Sequence, residues 1–244
     1  MDKIGILYIC TGRYSIYWND FYASVKDDFL YDTEKFFFIW TDDKGILQKN
    51  GKENIRTFEQ KSEKWPFPTL KRFEYFLRAE EELKNMDYLI YMNGNLRVNQ
   101  RIEKREILPE EGEGLFVTLH PGFFAAPPQK YTYESNPDSS AYVPPGKGKY
   151  YFAGGLNGGR TREYLIMMHC LKNRIADDLS RGIIAKWHDE SQLNGYMYDY
   201  REPFKMLSPA YLYPEGWELP FEEKITVRDK NKAGGHNYLR NCTE

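Results

Sequence analysis

Apolar positions in this chain fall into short unbroken runs that stop abruptly at polar or turn-forming residues. Runs at 4–10, 35–40, 87–92 and 115–119 are rich in β-branched and aromatic residues, the pattern of buried strands. After the first run, Tyr17, Phe21, Val25 and Phe29 recur at helical spacing. A second helical period falls on 69–84 through Leu70, Phe73, Phe76, Leu77 and Leu83. A third falls on 160–182 through Tyr164, Ile166, Met167, Leu171, Ile175 and Leu179, closed by Gly182. Strand, turn and helix at the start form the opening of an α/β nucleotide-binding half. Two short strands are expected at 204–207 and 210–213. The charged stretch 101–114 reads as a solvated connection, and 127–148, rich in Pro, Ser, Tyr and Gly, as a long irregular loop over a site.

In open α/β sheets ligands bind beyond the carboxyl ends of the strands, so the polar residues there come next. The run 87–92 ends in Asn93-Gly94-Asn95, either an uncharged hydrogen-bonding pair at the crevice or a hairpin turn; on this stretch alone the turn is favoured. Asp42 and Asp43 follow the second run as ribose or metal ligands, or, more simply, as a solvated turn. His120 follows the fourth, in competition with a packed, hydrogen-bonded histidine. Arg72 lies off the apolar face of its helix and reads as a surface charge unless it binds phosphate. The glycine-dense 150–160 satisfies neither GxGxxG nor the P-loop, and its glycines serve close approach to a ligand or two tight turns. Residues 187–192 crowd Trp187, His188, Asp189, Glu190, Ser191 and Gln192. Asp189 or Ser191 serves as a helix cap, or the group forms an acid/base and sugar-stacking site with Glu190 as nucleophile; the spacing is not a metal cage. His169 reads as structural. The tail holds Lys230, Lys232, His236 and Arg240 with little apolar content, so it either frays or closes over a diphosphate.

Composition narrows these options. With 244 residues, 41% of them hydrophobic, the chain can bury a core as one large domain or two intimate lobes. A formal net charge of -2 leaves no global field for a polyanion, so nucleic acid is not the expected partner. Cys10, Cys170 and Cys242 lie far apart without CxxC spacing, as suits reduced cytosolic thiols. No stretch approaches the roughly 20 apolar residues of a membrane span, so a cytoplasmic location without a transmembrane segment is expected. Twenty tyrosines and five tryptophans suit core packing, and also sugar binding, where flat rings meet apolar sugar faces.

Four segments, TLHPGF at 118–123, AGGLNGG at 153–159, WHDES at 187–191 and LSPAYL at 207–212, occur in an order and spacing that resembles glycosyltransferase family 6. That family contains the histo-blood-group A and B transferases and soluble bacterial relatives. The resemblance implies an α/β GT-A-type single domain with a Rossmann-like nucleotide-binding half and a mixed central sheet. Residues 1–98 would mainly bind UDP, 99–228 would mainly hold the acceptor and catalytic groups, and the basic tail 229–244 would be flexible and close over the donor.

The resemblance also implies retaining α1,3 transfer of GalNAc, or alternatively Gal, from UDP. Donor contacts would fall on Ile9, Thr11, Tyr14, Arg72, Asn93, Asn95, Ala153, Gly155, His188, Asp189, Lys230 and, across an insertion, Arg240. Acceptor contacts would fall on His120, Thr132 and Trp187, and the catalytic carboxylate on Glu190. Where animal members carry Asp-x-Asp to hold a divalent ion, this chain has Asn93 and Asn95. Neutral amides forfeit the charge that hard cations require, so metal-independent transfer without a cofactor is expected. Small residues at Ala153 and Gly155 leave room for an N-acetyl group, which favours UDP-GalNAc, with a fucosylated galactoside, Fucα1-2Gal, as acceptor. A UDP-sugar hydrolase and a non-catalytic sugar-binding module are the rival classes.

Overall fold

The computed structural model describes residues 1–240, so Cys242 lies outside the described residues. Its central sheet has seven strands in the order β3-β2-β1-β4-β7-β6-β8: β1 Lys3–Cys10, β2 Glu34–Thr41, β3 Ile55–Glu59, β4 Tyr88–Met92, β6 Leu115–Leu119, β7 Phe152–Arg160 and β8 Phe204–Leu207. A smaller sheet pairs β5 (Leu96–Val98), β10 (Ile225–Val227) and β9 (Tyr213–Pro214). Strands β1 to β4 are parallel where they pair, β7 runs against β4 and β6, and β8 is parallel to β6. This is the mixed α/β sheet of a GT-A-like domain.

Alternation along β1 divides its side chains between two cores. Ile4, Ile6 and Tyr8 pack with Trp18, Phe21 and Val25 of the Trp18–Asp28 helix on one face. Leu7 faces the opposite core with Phe73, Phe76, Tyr164 and Leu171. The helices Thr161–Ser180 and His188–Asp199 cover that second face.

Topology fixes where a site can form. The chain leaves β1 to build β2 and β3 on one side and returns to β4 on the other, which opens a crevice beyond the ends of β1 and β4. Because β7 is antiparallel, its first residues reach that same edge, where the Asn93 N–H donates to the Gly155 carbonyl at 2.8 Å.

Several expectations are corrected. The period at 69–84 is broken into Phe67–Leu70, Arg72–Leu77 and Glu80–Leu83, since Lys71 and Ala79 leave helical geometry. Arg72 is only 1% exposed and is no surface charge. The glycine-dense 150–160 forms neither of the two turns envisaged; it supplies central strand β7, where a Cβ on Gly158 would lie 2.4 Å from the Leu89 carbonyl oxygen. Residues 210–213 give a 3-10 turn, Pro209–Leu212, leading into β9. The "solvated" 101–114 buries Ile102, Ile107 and Leu108 around a capped turn of helix, Lys104–Ile107. The described part of the tail is folded, not frayed: a 3-10 turn at Lys230–Ala233 passes through Gly234 (φ 91°) into the helix Gly235–Leu239, whose Leu239 is buried. Arg13 donates to the Tyr238 carbonyl at 2.8 Å and fastens that helix.

Candidate active site

A cavity of about 530 Å³ opens at the crevice beyond β1 and β4. Ile9, Thr11 and Tyr14 line one side, where β1 gives way to the 3-10 turn Gly12–Tyr17. Asn93 and Gly155 form the sheet edge, and Trp187 through Glu190 close the far side. Lys230, His236 and Arg240 of the tail stand across the mouth.

The far wall is held by a buried ion pair. Arg72 donates to the Asp189 carboxylate and to the Gly154 carbonyl at 3.2 Å, with its guanidinium centred 4.2 Å over the Tyr91 ring. Its Nε and Nη2 are buried without a hydrogen-bond partner. A pair this deep is costly to desolvate and costlier to break, since either half alone is an uncompensated buried charge. Next along the chain, Glu190 accepts from the Gly154 N–H at 2.9 Å and from the Tyr151 hydroxyl at 3.2 Å. Burial pushes its carboxyl up to about 7 against the pull of those donors. Space at Gly154 is tight: a Cβ would lie 3.2 Å from the Asp189 carboxylate and 3.4 Å from Glu190 Cβ, so the Asp189 carboxylate would have to shift slightly. His188 sits at φ 54° in the left-handed region, a conformation that clusters at functional sites when a non-glycine residue adopts it.

Around this carboxylate the loop 131–134 is stitched to the helix start. The Trp187 indole N–H donates to Thr132 Oγ1 at 2.9 Å, and the Lys186 N–H donates to Glu134 at 2.6 Å. His120 meets Tyr151 edge-on, ring centroids 5.7 Å apart, and takes the Gly122 N–H on Nδ1 at 3.0 Å. That bond leaves the proton on Nε2, and burial lowers the imidazole to about 4, so the ring is neutral near pH 7.

The sequence-based candidates are mostly, but not all, brought together. Ile9, Thr11, Tyr14, Arg72, Asn93, Gly155, His188, Asp189, Lys230, Arg240, Trp187 and Glu190 line the cavity. Ala153, buried and opposite Thr118 of β6, and His120 and Thr132 are not in its lining; His120 lies beside Tyr151 and Thr132 is bonded to Trp187. The triplet is divided. Asn95 turns away, donating its amide to the Arg228 carbonyl at 2.7 Å, and lines a second, smaller cavity. Asp42 accepts from the Gly12 and Ser62 N–H groups, and Asp43 caps the short helix Lys44–Leu47, so both hold backbone. Sequence reasoning missed Trp65, Tyr91 and Tyr151. Trp65 sits under Arg240, 3.5 Å from guanidinium carbon to ring centroid, and edge-on to His188. The only sequence signal for it is the turn-forming stretch Trp65-Pro66-Phe67-Pro68 ahead of the helical period.

With this geometry in view, comparisons with known proteins agree on one family. The model for glycosyltransferase family 6 matches residues 2–241. The chain belongs to glycosyltransferase family 6. It is 30% identical over 237 residues to the Escherichia coli O-antigen biosynthesis glycosyltransferase WbnI, covering 97% of this chain and 99% of that protein. It is 28% identical to the rat histo-blood group ABO system transferase 1 over 88% of this chain, which spans only 62% of that relative. It is 27% identical to the mouse globoside alpha-1,3-N-acetylgalactosaminyltransferase 1, covering 97% of this chain and 68% of that one. A family 6 glycosyltransferase takes a nucleotide-sugar donor and a glycan acceptor, and among the described residues no helix is long and apolar enough to cross a membrane.

A divalent ion at the triplet does not fit these residues. Asn93 Oδ1 already accepts from the Gly94 N–H at 3.0 Å, Asn95 faces the other cavity, and neither carries charge. Among the described residues no group of three or more His, Cys, Asp or Glu could hold a metal.

Proposed function

We propose that this family 6 enzyme transfers GalNAc from UDP-GalNAc, in α1,3 linkage and with retention, to a fucosylated galactoside, without a divalent metal. The observation that carries the reading is the Glu190 carboxylate fixed by Gly154 and Tyr151 in the wall of a nucleotide-sized cavity, one residue from the buried Arg72–Asp189 pair. Uridine would lie over Ile9, Thr11 and Tyr14, with Asn93 donating its amide toward the ribose or diphosphate. Lys230 and Arg240 would offset the charge that develops on the departing diphosphate, the task given elsewhere to a bound ion.

As UDP leaves, positive charge develops at the anomeric carbon. Ionised Glu190 would stabilise it, either as a covalent nucleophile or as a neighbouring anion while the acceptor hydroxyl attacks the same face. Trp187, held by Thr132, would stack on the acceptor galactose, and the Nε2–H of His120 would donate to one of its hydroxyls. The carboxylate in this wall, together with membership of a transferase family, supports a transferase or hydrolase over a sugar-binding module. Asp189 and Arg72 would grip the donor sugar, and the lack of a side chain at Gly155 would leave room for the N-acetyl group.

Incubating the enzyme with UDP-GalNAc or UDP-Gal and 2'-fucosyllactose in EDTA, with products read by mass, tests each element. Tetrasaccharide formed in EDTA is the expected result, faster with UDP-GalNAc. Product only on restoring Mn²⁺ would overturn the metal-independent reading, faster reaction with UDP-Gal would overturn the donor, and free GalNAc alone would make the enzyme a hydrolase.

A further inference from the structure

In the wall of the main cavity the Glu190 carboxylate takes one hydrogen bond on each oxygen, from the Tyr151 hydroxyl at 3.2 Å on Oε1 and from the Gly154 N–H at 2.9 Å on Oε2. Both donors sit at the start of β7, while Glu190 belongs to the helix His188–Asp199. The surroundings of the carboxylate therefore depend on how accurately a strand end and a helix start are held together. Elsewhere that helix is anchored to other elements. Gln192 donates to Asp178 at 2.9 Å, and a Cβ on Gly195 would lie 2.8 Å from the Ala141 carbonyl oxygen. Neither contact reaches the strand.

The start of β7 runs past its neighbour. Strand β4 pairs with β7 from Tyr88 opposite Arg160 to Met92 opposite Leu156, so Phe152 lies beyond its end. Tyr151 turns its carbonyl toward β6, accepting from the His120 N–H at 2.9 Å, and alternation sends the N–H and carbonyl of Phe152 the other way. Phe152 is buried, where unpaired backbone groups are costly. Asn194, 2% exposed, takes both: its Oδ1 accepts from the Phe152 N–H at 2.9 Å and its Nδ2 donates to the Phe152 carbonyl at 2.8 Å. Nδ2 also donates to the Glu190 carbonyl, one helical turn back, at 2.9 Å. A carboxamide supplies the acceptor and the two donors that this requires. Among the described residues, the hydrogen bonds between this helix and residues 151–154 are those of Asn194 and of Glu190 itself.

We infer that Asn194 is a positioning residue for the reaction: its carboxamide stands in for a strand partner at the start of β7, and so holds both donors at the distance the Glu190 carboxylate needs. The inference rests on the reading of Glu190 as the catalytic carboxylate. Burial raises the Glu190 carboxyl to about 7 and the two donors pull against it, so loosening them sends it higher. A residue that only stabilised the fold would leave it where it is.

The test follows the Glu190 carboxyl carbon by NMR through a pH titration, its signal assigned by its disappearance in Glu190→Gln, together with UDP release from UDP-GalNAc and UDP-Gal. Asn194→Ala removes every bond of the carboxamide. Asn194→Ser, whose hydroxyl can donate back to the Glu190 carbonyl, spares the helix while cutting the link to Phe152, and serves if the alanine variant folds poorly. In both, the titration midpoint should rise by about one pH unit, roughly what a hydrogen bond to a charged group contributes. Turnover, kcat, should fall roughly tenfold or more with UDP affinity unchanged. Tyr151→Phe should raise the midpoint in the wild type and add little in Asn194→Ser, because the bond it removes is already slack. An unmoved midpoint in a folded variant, or a loss of kcat matched by an equal loss of UDP affinity, would overturn the role of Asn194. Near-normal turnover in Glu190→Gln would instead refute the catalytic reading of Glu190, while the midpoints still decide whether Asn194 holds it.

Discussion

Replacing Glu190 by Gln should make the folded protein more stable while disabling it. The carboxyl lies in a wall that favours its neutral form, moved from an ordinary 4.5 up to about 7 chiefly by burial. At high pH the folded state therefore holds an anion it disfavours, at a cost of about 3 kcal/mol relative to the unfolded chain. Between pH 4.5 and 7 the folded state binds more protons than the unfolded one, so this contribution lowers stability as pH rises. Glutamine keeps the shape, accepts from the Gly154 N–H and meets the Tyr151 hydroxyl with its amide, but never ionises.

Urea unfolding at two pH values provides the assay. The variant should exceed the wild type by about 3 kcal/mol at pH 8 and by less than about 1 kcal/mol at pH 5. Thermal scans at pH 8 should show a rise of roughly 6–12 °C, given about 2–4 °C per kcal/mol for a chain of this size. Turnover should fall by roughly a hundredfold or more, as when a group that stabilises transition-state charge is removed, with UDP binding retained. A variant no more stable than the wild type at pH 8, or equally stabilised at both pH values, would refute the placement of an ionisable carboxylate in this wall. Near-normal turnover would remove Glu190 from catalysis.

Other consequences follow from the same geometry. Asp189→Asn, which leaves Arg72 buried and unpaired, should destabilise by about 3–5 kcal/mol in urea; a cost below 1 kcal/mol would mean the pair is not desolvated. In the free enzyme kcat/KM for the donor should rise with pH as Glu190 ionises near 7 and fall above about 8 as Lys230, held down to about 8 by burial and by Arg240, loses its proton. Lys230→Met should abolish the alkaline limb and keep the acid one, and a limb that survives the substitution belongs to another group. Gly155→Ala should fold normally, because its Cβ would meet Leu212 at 3.4 Å and Asn93 at 3.7 Å in ordinary contact. The variant should favour UDP-Gal over UDP-GalNAc by roughly tenfold more than the wild type, and an unchanged donor ratio would show that the N-acetyl group lies elsewhere.

What the sequence disclosed follows from what each element needs. Strands β1, β2, β4 and β6 were legible because a buried parallel strand must be continuously apolar and must stop where it reaches the crevice, so their ends located the cavity. Strand β7 was hidden because close contact with β4 and β6 replaces side chains with glycines, leaving no alternation to read. Arg72 was misread because helical periodicity reports only local faces, and the partner that draws it inward, Asp189, is 117 residues away. Trp187, His188, Asp189 and Glu190 looked like a cluster and are one, since a helix begins there and directs consecutive side chains to different walls of one cavity. The two asparagines looked like a pair and are not, because the tight turn after β4 sends the second toward the small sheet.

That separation bears on how the donor's charge is balanced. In family members with Asp-x-Asp, two carboxylates and one divalent ion sum to zero before the nucleotide arrives, and on the metal-free reading proposed above the two amides here would sum to zero as well. The difference lies in how the positive charge is held: at a single point between the sheet and the diphosphate, or spread over side chains on the far side of the nucleotide. Lys230, His236 and Arg240 stand together across the mouth; burial lowers Lys230 and His236 most, and Arg240 lowers Lys230 further, as Lys230 and Arg240 do His236, through mutual repulsion. A diphosphate between them would turn that repulsion into attraction, so nucleotide affinity should reside largely in the tail. Deleting residues 230–244 should then weaken UDP binding in EDTA far more than it weakens uridine binding, by roughly tenfold for each cation that the diphosphate meets. Equal losses for UDP and uridine would place the diphosphate's counter-charge elsewhere.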